Sequence, residues 1–143
     1  MSKVFIASRV GAKTKKQFEK NLKRYCAFAR MAILQGYDAE ATGPYYCMLL
    51  DDFSQKEREL GLKLGRARAI QCHEFWALKN EDGSLSSGMQ GDLQEIEWHN
   101  KKTYALEEPG YHTIEIKYFT PEQVENWLKE NDPYGYNLWQ KSK

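Results

Sequence analysis

Short apolar runs that alternate with helix-forming segments are the feature of this sequence that most limits its fold. Lys3–Ser8 and Glu74–Leu78 are the clearest of these runs, and polar segments containing glycine separate them from the helices that follow. Continuous apolar runs of this length are typical of strands buried on both faces of a parallel sheet. The predicted element order is strand, helix, strand, helix, strand, helix, strand, strand, helix. We therefore predict an α/β fold with a mostly parallel, doubly wound (Rossmann-like) sheet that is flanked by helices.

Local capping signals predict where the helices begin and end. Apolar residues at helical spacing predict a first helix over Thr14–Gln35, which Gly36 ends. Serine and threonine residues that can cap a helix start predict three more helices, over Ser54 to about Gln71, Ser87 to about His99 and Thr120 to about Glu130.

The remaining segments have weaker patterns. Three further strands are predicted, at Asp38–Thr42, Thr103–Leu106 and Tyr111–Phe119. Gly43–Phe53 is dense in aromatic residues and is predicted to be a loop. The tail Asn131–Lys143 is also aromatic, and we expect it either to pack on a neighbour or to dangle.

Length and charge exclude several classes of protein. A chain of 143 residues fits one domain, which we assign to 1–143 with the last helix and aromatic tail from about 120. The net charge of +1 gives no field that would attract nucleic acid or an anionic membrane. The first apolar run is too short for a signal peptide or a membrane span. Three cysteines without metal-ligand spacing predict neither a disulfide framework nor a metal site, so we expect a cytoplasmic protein.

The segment Ser86–Asp92 is the strongest candidate for a ligand site. It joins a predicted strand to a predicted helix, and ligands of doubly wound sheets lie at the carboxyl ends of the strands. Gly88 lets a ligand approach the backbone, and the free amides of a helix start attract anions. Asp92 lies one turn into the helix and can face the same cleft as Ser86, Ser87, Gly88 and Met89. The alternative is that Ser87 only caps the helix while Asp92 only compensates its dipole.

Two other loops lie at the same predicted edge of the sheet. Ser8 and Arg9 follow the first strand, and the planar guanidinium of Arg9 suits a phosphate group. Asp51 precedes the helix at Ser54, and its carboxylate can accept hydrogen bonds from ribose hydroxyls. The alternatives are that Arg9 is solvated and that Asp51 belongs to an exposed first turn.

Four segments together resemble the nucleoside 2-deoxyribosyltransferase-like superfamily, in its phage and bacterial branch of small domains. The likeness covers roughly residues 3–106. Its parts are Phe5-Ile6-Ala7-Ser8, the run Glu57–Gly65, the strand Cys72-His73-Glu74-Phe75-Trp76, and Ser87-Gly88-Met89 followed by an acid three residues later.

The resemblance implies a catalytic or binding role for Asp92. The enzymes of this superfamily carry a glutamate after Gly-Met that attacks the anomeric carbon of a nucleoside and forms a glycosyl-enzyme ester. Asp92 takes that place here and is one methylene shorter, which weakens the geometry of attack. The chain departs from the family in other places too, because Phe5 replaces a tyrosine, Ser86 replaces an aspartate and His73 replaces an acid.

Three functions follow as hypotheses. The first is a protein, implied to be phage-encoded, that binds a nucleoside- or nucleotide-derived molecule without a cofactor and sequesters a nucleotide immune signal in the host cytoplasm. The second is an enzyme that cleaves or transfers at an N-glycosidic bond through Asp92. The third is a protein-interaction module that uses the aromatic tail and the loop around Tyr45 and Tyr46. The resemblance also implies a homo-oligomer, with the helix from Ser54 to Gln71 and the tail as candidate surfaces.

Overall fold

A computed structural model describes residues 1–106 and 112–143 of the chain. The strands are β1 (Lys3–Ala7), β2 (Asp38–Glu40), β3 (Glu74–Leu78) and β4 (Glu115–Phe119). The helices are α1 (Lys15–Leu34), α2 (Thr42–Leu49), α3 (Gln55–Ala69), α4 (Ser87–Leu106), α5 (Pro121–Asn131) and α6 (Pro133–Gln140).

The four described strands form one parallel sheet in the order β2-β1-β3-β4. Phe5 pairs with Phe75, and Phe75 pairs with Ile116. The chain leaves β1 toward β2 and then returns to the other side of β1 as β3. The switch point of the sheet therefore lies between β1 and β3, where ligands of doubly wound folds bind.

Helices cover both faces of the sheet, as predicted for a doubly wound fold. Successive residues of a strand point to opposite faces. Val4 and Ile6 of β1 accordingly pack in a core with α1, α5 and α6, whereas Phe5 and Ala7 pack in a second core with α3 and α4. Burial on both faces explains why β1 and β3 have no polar alternation in the sequence.

Side-chain caps begin the predicted helices. Thr14 accepts a hydrogen bond from the Gln17 amide at the start of α1, and Ser54 accepts one from the Glu57 amide at the start of α3. Thr120 forms a complete capping box with Gln123 at the start of α5. These contacts confirm the predicted starts of the three helices, because a cap is encoded within four residues.

The predicted loop Gly43–Phe53 is wrong over most of its length, because α2 occupies Thr42–Leu49. Proline usually interrupts a helix. Pro44, however, lies in the first helical turn, where its missing N–H would have no helical partner in any case. Packing of Thr42 and Gly43 against α3 and Tyr25 then stabilises a helix of low intrinsic propensity.

The predicted strand Thr103–Leu106 is also wrong, since these residues form the last turn of α4. Met89, Leu93, Ile96 and Thr103 are buried at intervals of four, three and seven residues, which places them on one face of a single long helix. The predicted strand Tyr111–Phe119 is shorter than expected and begins at Glu115; Tyr111 lies outside the described residues.

The aromatic tail does not dangle, because it folds back as α6 and packs against α1. Trp139 is only 1% exposed and lies in the core beside α1. The carboxylate of Asp132, just before α6, accepts two hydrogen bonds of 2.8 Å from the guanidinium of Arg30. The apolar ring and this bidentate ion pair together fix the tail.

Within residues 1–106 and 112–143, no helix is both long enough and apolar enough to cross a membrane. The same residues hold no group of three or more histidine, cysteine or acidic side chains placed to bind a metal ion.

Candidate functional site

A cavity of about 520 Å³ lies at the carboxyl ends of β1 and β3, at the switch point of the sheet. Its walls come from the loop after β1, from α2 and α3, from the loop after β3 and from the start of α4. The candidate residues that line it are Ser8, Arg9, Ser86, Ser87, Gly88, Met89 and Asp92. The structure thus brings together residues that are up to 84 positions apart in the sequence, from Ser8 to Asp92.

Asp51 is the one candidate residue that does not line the cavity. Its carboxylate accepts a hydrogen bond of 3.0 Å from the Phe53 amide, and its side chain is exposed at the turn before α3. Asp52 lines the cavity in its place. Burial raises the pKa of Asp52, and the neighbouring Arg58 opposes that rise. Neighbouring residues of a turn point in different directions, so the sequence did not reveal which acid would face inward.

Asp92 is a nearly buried carboxylate held by an arginine. Its side chain is 12% exposed, and its Oδ1 accepts a hydrogen bond of 2.9 Å from Nε of Arg66. Burial raises the pKa of Asp92 to about 6, although the bond and the charge of Arg66 both act to lower it. The carboxylate therefore takes up a proton at a higher pH than an exposed aspartate does, although it is still mostly ionised at pH 7.

Arg66 reaches Asp92 because Gly91 has no side chain. A Cβ on Gly91 would overlap the guanidinium of Arg66. The same guanidinium also donates to the Gly88 carbonyl at 3.4 Å. Arg66 of α3 thus binds two groups that lie one turn apart at the start of α4. Sequence reasoning missed Arg66, since no local pattern links two residues that lie 26 positions apart on different helices.

Tyr25 of α1 contributes a buried phenol to the cavity wall. Its hydroxyl donates to the Ile6 carbonyl and accepts from the Gly43 amide at 3.4 Å. Burial raises the pKa of Tyr25, and the negative charge of Asp92, which lines the same cavity, adds to that rise. The only hydroxyl proton is committed to Ile6. Tyr25 therefore has no proton left to donate to Asp92, and the carboxylate of Asp92 accepts its hydrogen bond from Arg66 instead.

The start of α4 offers free backbone amides to the cavity. The hydroxyl of Ser86 accepts a hydrogen bond of 3.3 Å from the Met89 amide, so Ser86 caps α4 and the helix begins one residue after it. The amides of Ser87 and Gly88 have no acceptor among residues 1–106 and 112–143. Unpaired amides at a helix start attract anions and polar oxygens.

Comparison with known proteins places the chain in a family. Residues 2–106 match the family described as "Domain of unknown function (DUF7768)". The comparisons with curated proteins and with solved structures give no match. The matched segment runs from β1 to the end of α4 and includes every candidate residue of the cavity, whereas α5 and α6 lie outside it. Because the match covers well over half of its length, the chain belongs to the DUF7768 family.

Proposed function

We propose that the chain binds a nucleoside- or nucleotide-derived small molecule in the cavity beside Asp92. The observation that carries this proposal is the nearly buried carboxylate of Asp92 on the wall of a cavity of about 520 Å³. Small-molecule sites commonly have volumes of this order and combine apolar walls with a few polar groups. Phe5, Tyr46 and Leu62 provide apolar surface for a base, while Asp92 accepts hydrogen bonds from sugar hydroxyls.

The state of Asp92 favours binding over catalysis. One carboxylate oxygen of Asp92 accepts a hydrogen bond from Arg66, and burial raises the pKa of Asp92 to about 6. A nucleophile needs a free, ionised oxygen that can come into near-contact with carbon. A hydrogen-bond acceptor needs only its second oxygen to face the ligand. The shorter side chain and the bond to Arg66 both suit the second role.

The proposal is tested by measuring ligand binding to wild type and to two variants of α4. Native mass spectrometry of the freshly purified chain asks whether a ligand co-purifies. Calorimetry with nucleosides and nucleoside monophosphates then measures affinity. We expect Asp92→Ala to weaken binding roughly ten- to a hundredfold, the cost of losing a hydrogen bond to a charged acceptor. Glu95→Ala removes the same charge from the exposed side of α4 and should have no effect. Equal affinity in all three proteins would contradict the proposal.

A second candidate function is cleavage or transfer at an N-glycosidic bond through Asp92. It is favoured by the placement of a carboxylate in the cavity, which is what a retaining mechanism requires. In that mechanism the ionised Asp92 attacks the anomeric carbon, the base leaves, and water or a second base releases the sugar. The rate should then rise with pH as Asp92 ionises near pH 6. Release of free base by wild type, lost in Asp92→Ala, would select this function.

The resemblance also supports a biological use for a binding protein. A phage-encoded chain of this kind would sequester a nucleotide immune signal in the cytoplasm of the host. Sequestration requires that the bound molecule stay chemically intact. Denaturing the complex should therefore release the original molecule in stoichiometric amount, whereas an enzyme would release products.

A further inference from the structure

The loop between β1 and α1 lines the cavity, and two of its carbonyl groups accept hydrogen bonds from a side chain of α1. Nδ2 of Asn21 donates to the carbonyls of Val10 and Gly11, at 3.1 and 3.4 Å. Nε of Arg9 also donates to the Gly11 carbonyl, at 3.4 Å. Both carbonyl oxygens are therefore occupied by donors of the protein itself.

The amides of the same loop have no such partners. Among residues 1–106 and 112–143, the N–H groups of Val10, Gly11 and Ala12 donate to no acceptor. All three residues lie on the wall of the cavity. The three residues are half-buried, and successive free amides in a loop can form a concave anion site.

Three cationic side chains surround this loop. Arg9 and Lys13 belong to the loop, and Arg58 reaches it from α3. The guanidinium of Arg58 lies against Gly11, where a Cβ would be 2.7 Å from Nη2. No carboxylate among the described residues lies within 4.0 Å of any of the three cations.

The acids that line the cavity form no salt bridge with these three cations, so the cations can bind an anionic ligand. Asp92 is paired with Arg66, and Glu57 accepts a hydrogen bond of 3.3 Å from the Asp51 amide. Asp52 also lines the cavity, and the charge of Arg58 acts to lower the pKa of Asp52, but the two side chains form no salt bridge within 4.0 Å. The cations therefore lie around the β1–α1 loop, while the acid proposed to hold the sugar lies on α4.

We propose that the β1–α1 loop, with Arg9, Lys13 and Arg58, binds a phosphoryl group of the ligand. This inference rests on the proposed function for the rest of the ligand, and it specifies a nucleotide rather than a nucleoside. The loop amides and the planar fork of Arg58 donate to the phosphoryl oxygens, as arginine does in bidentate phosphate recognition. The sugar then extends across the cavity toward Asp92.

Calorimetry on wild type, Arg58→Gln and Lys63→Gln tests the inference. Each common ribonucleoside is compared with its 5′-monophosphate. We expect wild type to bind a monophosphate roughly ten- to a hundredfold more tightly than its nucleoside. Arg58→Gln should remove most of this preference and leave the nucleoside affinity unchanged. Lys63→Gln removes a cation from the exposed side of the same helix, away from the cavity, and should preserve the preference.

Inorganic phosphate distinguishes failure of the inference from failure of the proposed function. Its binding is followed by phosphorus NMR on the same three proteins. Phosphate binding that Arg58→Gln abolishes, without binding of any nucleoside or nucleotide, would support the loop site and contradict the proposed function. Equal affinity for nucleoside and monophosphate in wild type would overturn the inference while the proposed function stands. A loss in Arg58→Gln that is equal for both compounds would also overturn it.

Discussion

The ionised carboxylate of Asp92 lowers the stability of the fold because it is nearly buried, but its place on the cavity wall suits contact with a ligand. Its pKa in the folded chain is about 6, above its ordinary value of 3.8. A carboxyl group whose pKa is raised by folding stabilises the folded state fully below its unfolded pKa. That contribution is lost as the pH rises through the folded pKa. The relevant window for Asp92 is therefore about pH 4 to 6. Above it, the folded chain holds a buried charge that Arg66 compensates only in part.

Replacing Asp92 by asparagine should therefore stabilise the protein at high pH. The neutral amide keeps the shape of the acid and removes the buried charge. We expect Asp92→Asn to be more stable than wild type by about 1–3 kcal/mol at pH 8, with the difference nearly gone at pH 4. Thermal and denaturant unfolding at both pH values measure this. Glu95→Gln, exposed on the same helix, should show no difference, and a wild type that is the more stable protein at pH 8 would refute the expectation.

At the scale of elements, α6 acts as a structural support for α1. It lies outside the matched family segment, and its Trp139 fills the core between α1 and α5. The guanidinium of Arg24 lies 4.2 Å from the centre of the Trp139 ring, which adds a cation–π contact to the apolar packing. Because α1 also carries Tyr25 and Asn21, α6 supports the helix that shapes one side of the cavity.

Truncating Trp139 should cost much of the stability of the domain. We expect Trp139→Ala to lower the free energy of unfolding by about 3–5 kcal/mol, because a large core side chain leaves a cavity behind. Trp98→Ala makes the same change on α4, where the ring is 59% exposed, and should cost about 0.5 kcal/mol or less. Urea denaturation of the two variants compares these costs. A similar loss in both would show that α6 is not part of the cooperative core.

At the scale of the whole molecule, exposed apolar side chains concentrate on α2, the turn after it and α3. These side chains are Met48, Leu49, Phe53, Leu60 and Leu64. Apolar surface of this kind commonly marks an interface. Trp139 of the tail, by contrast, is buried within its own chain and is not available to a partner. The homo-oligomer implied by the resemblance would thus use α2 and α3.

Oligomer formation is tested by light scattering at micromolar concentration. We expect wild type to have at least twice the monomer mass of 16.7 kDa. Met48→Lys places a charge on α2 at a side chain that is 85% exposed, and it should shift the protein to monomer. Tyr104→Lys changes a side chain of similar exposure, 83%, on α4 and should leave the mass unchanged. A wild type at the monomer mass would contradict the expected assembly.

Much of the fold was predictable because its signals are local. The buried runs of β1 and β3, and the caps at Thr14, Ser54 and Thr120, each lie within a few residues of sequence. Strand and helix order then predicts a parallel sheet, because such units have few ways to pack. The edge of the sheet that carries the loop after β1 and the segment Ser86–Asp92 follows from that topology.

Tertiary packing decided what local signals could not. Thr42, Gly43 and Tyr46 pack against Tyr25 and α3, which stabilises a helix in this segment. Thr103 continues α4 because its side chain is buried. Packing also turned Asp52 inward and Asp51 outward. These outcomes depend on contacts between distant segments, whose energies no short window of sequence contains.

The sequence by itself therefore determined the fold class and most of the candidate residues that meet at one edge of the sheet. Only the tertiary structure decided which of these side chains are buried, which are paired, and how the pKa of Asp92 is shifted. Arg66 and Asp92 meet because two helices cross where Gly91 leaves room, and Arg58 reaches Gly11 in the same way. Burial and the pairing of charges are properties of the assembled chain, and they set the pKa of Asp92 and leave the β1–α1 loop open to an anion.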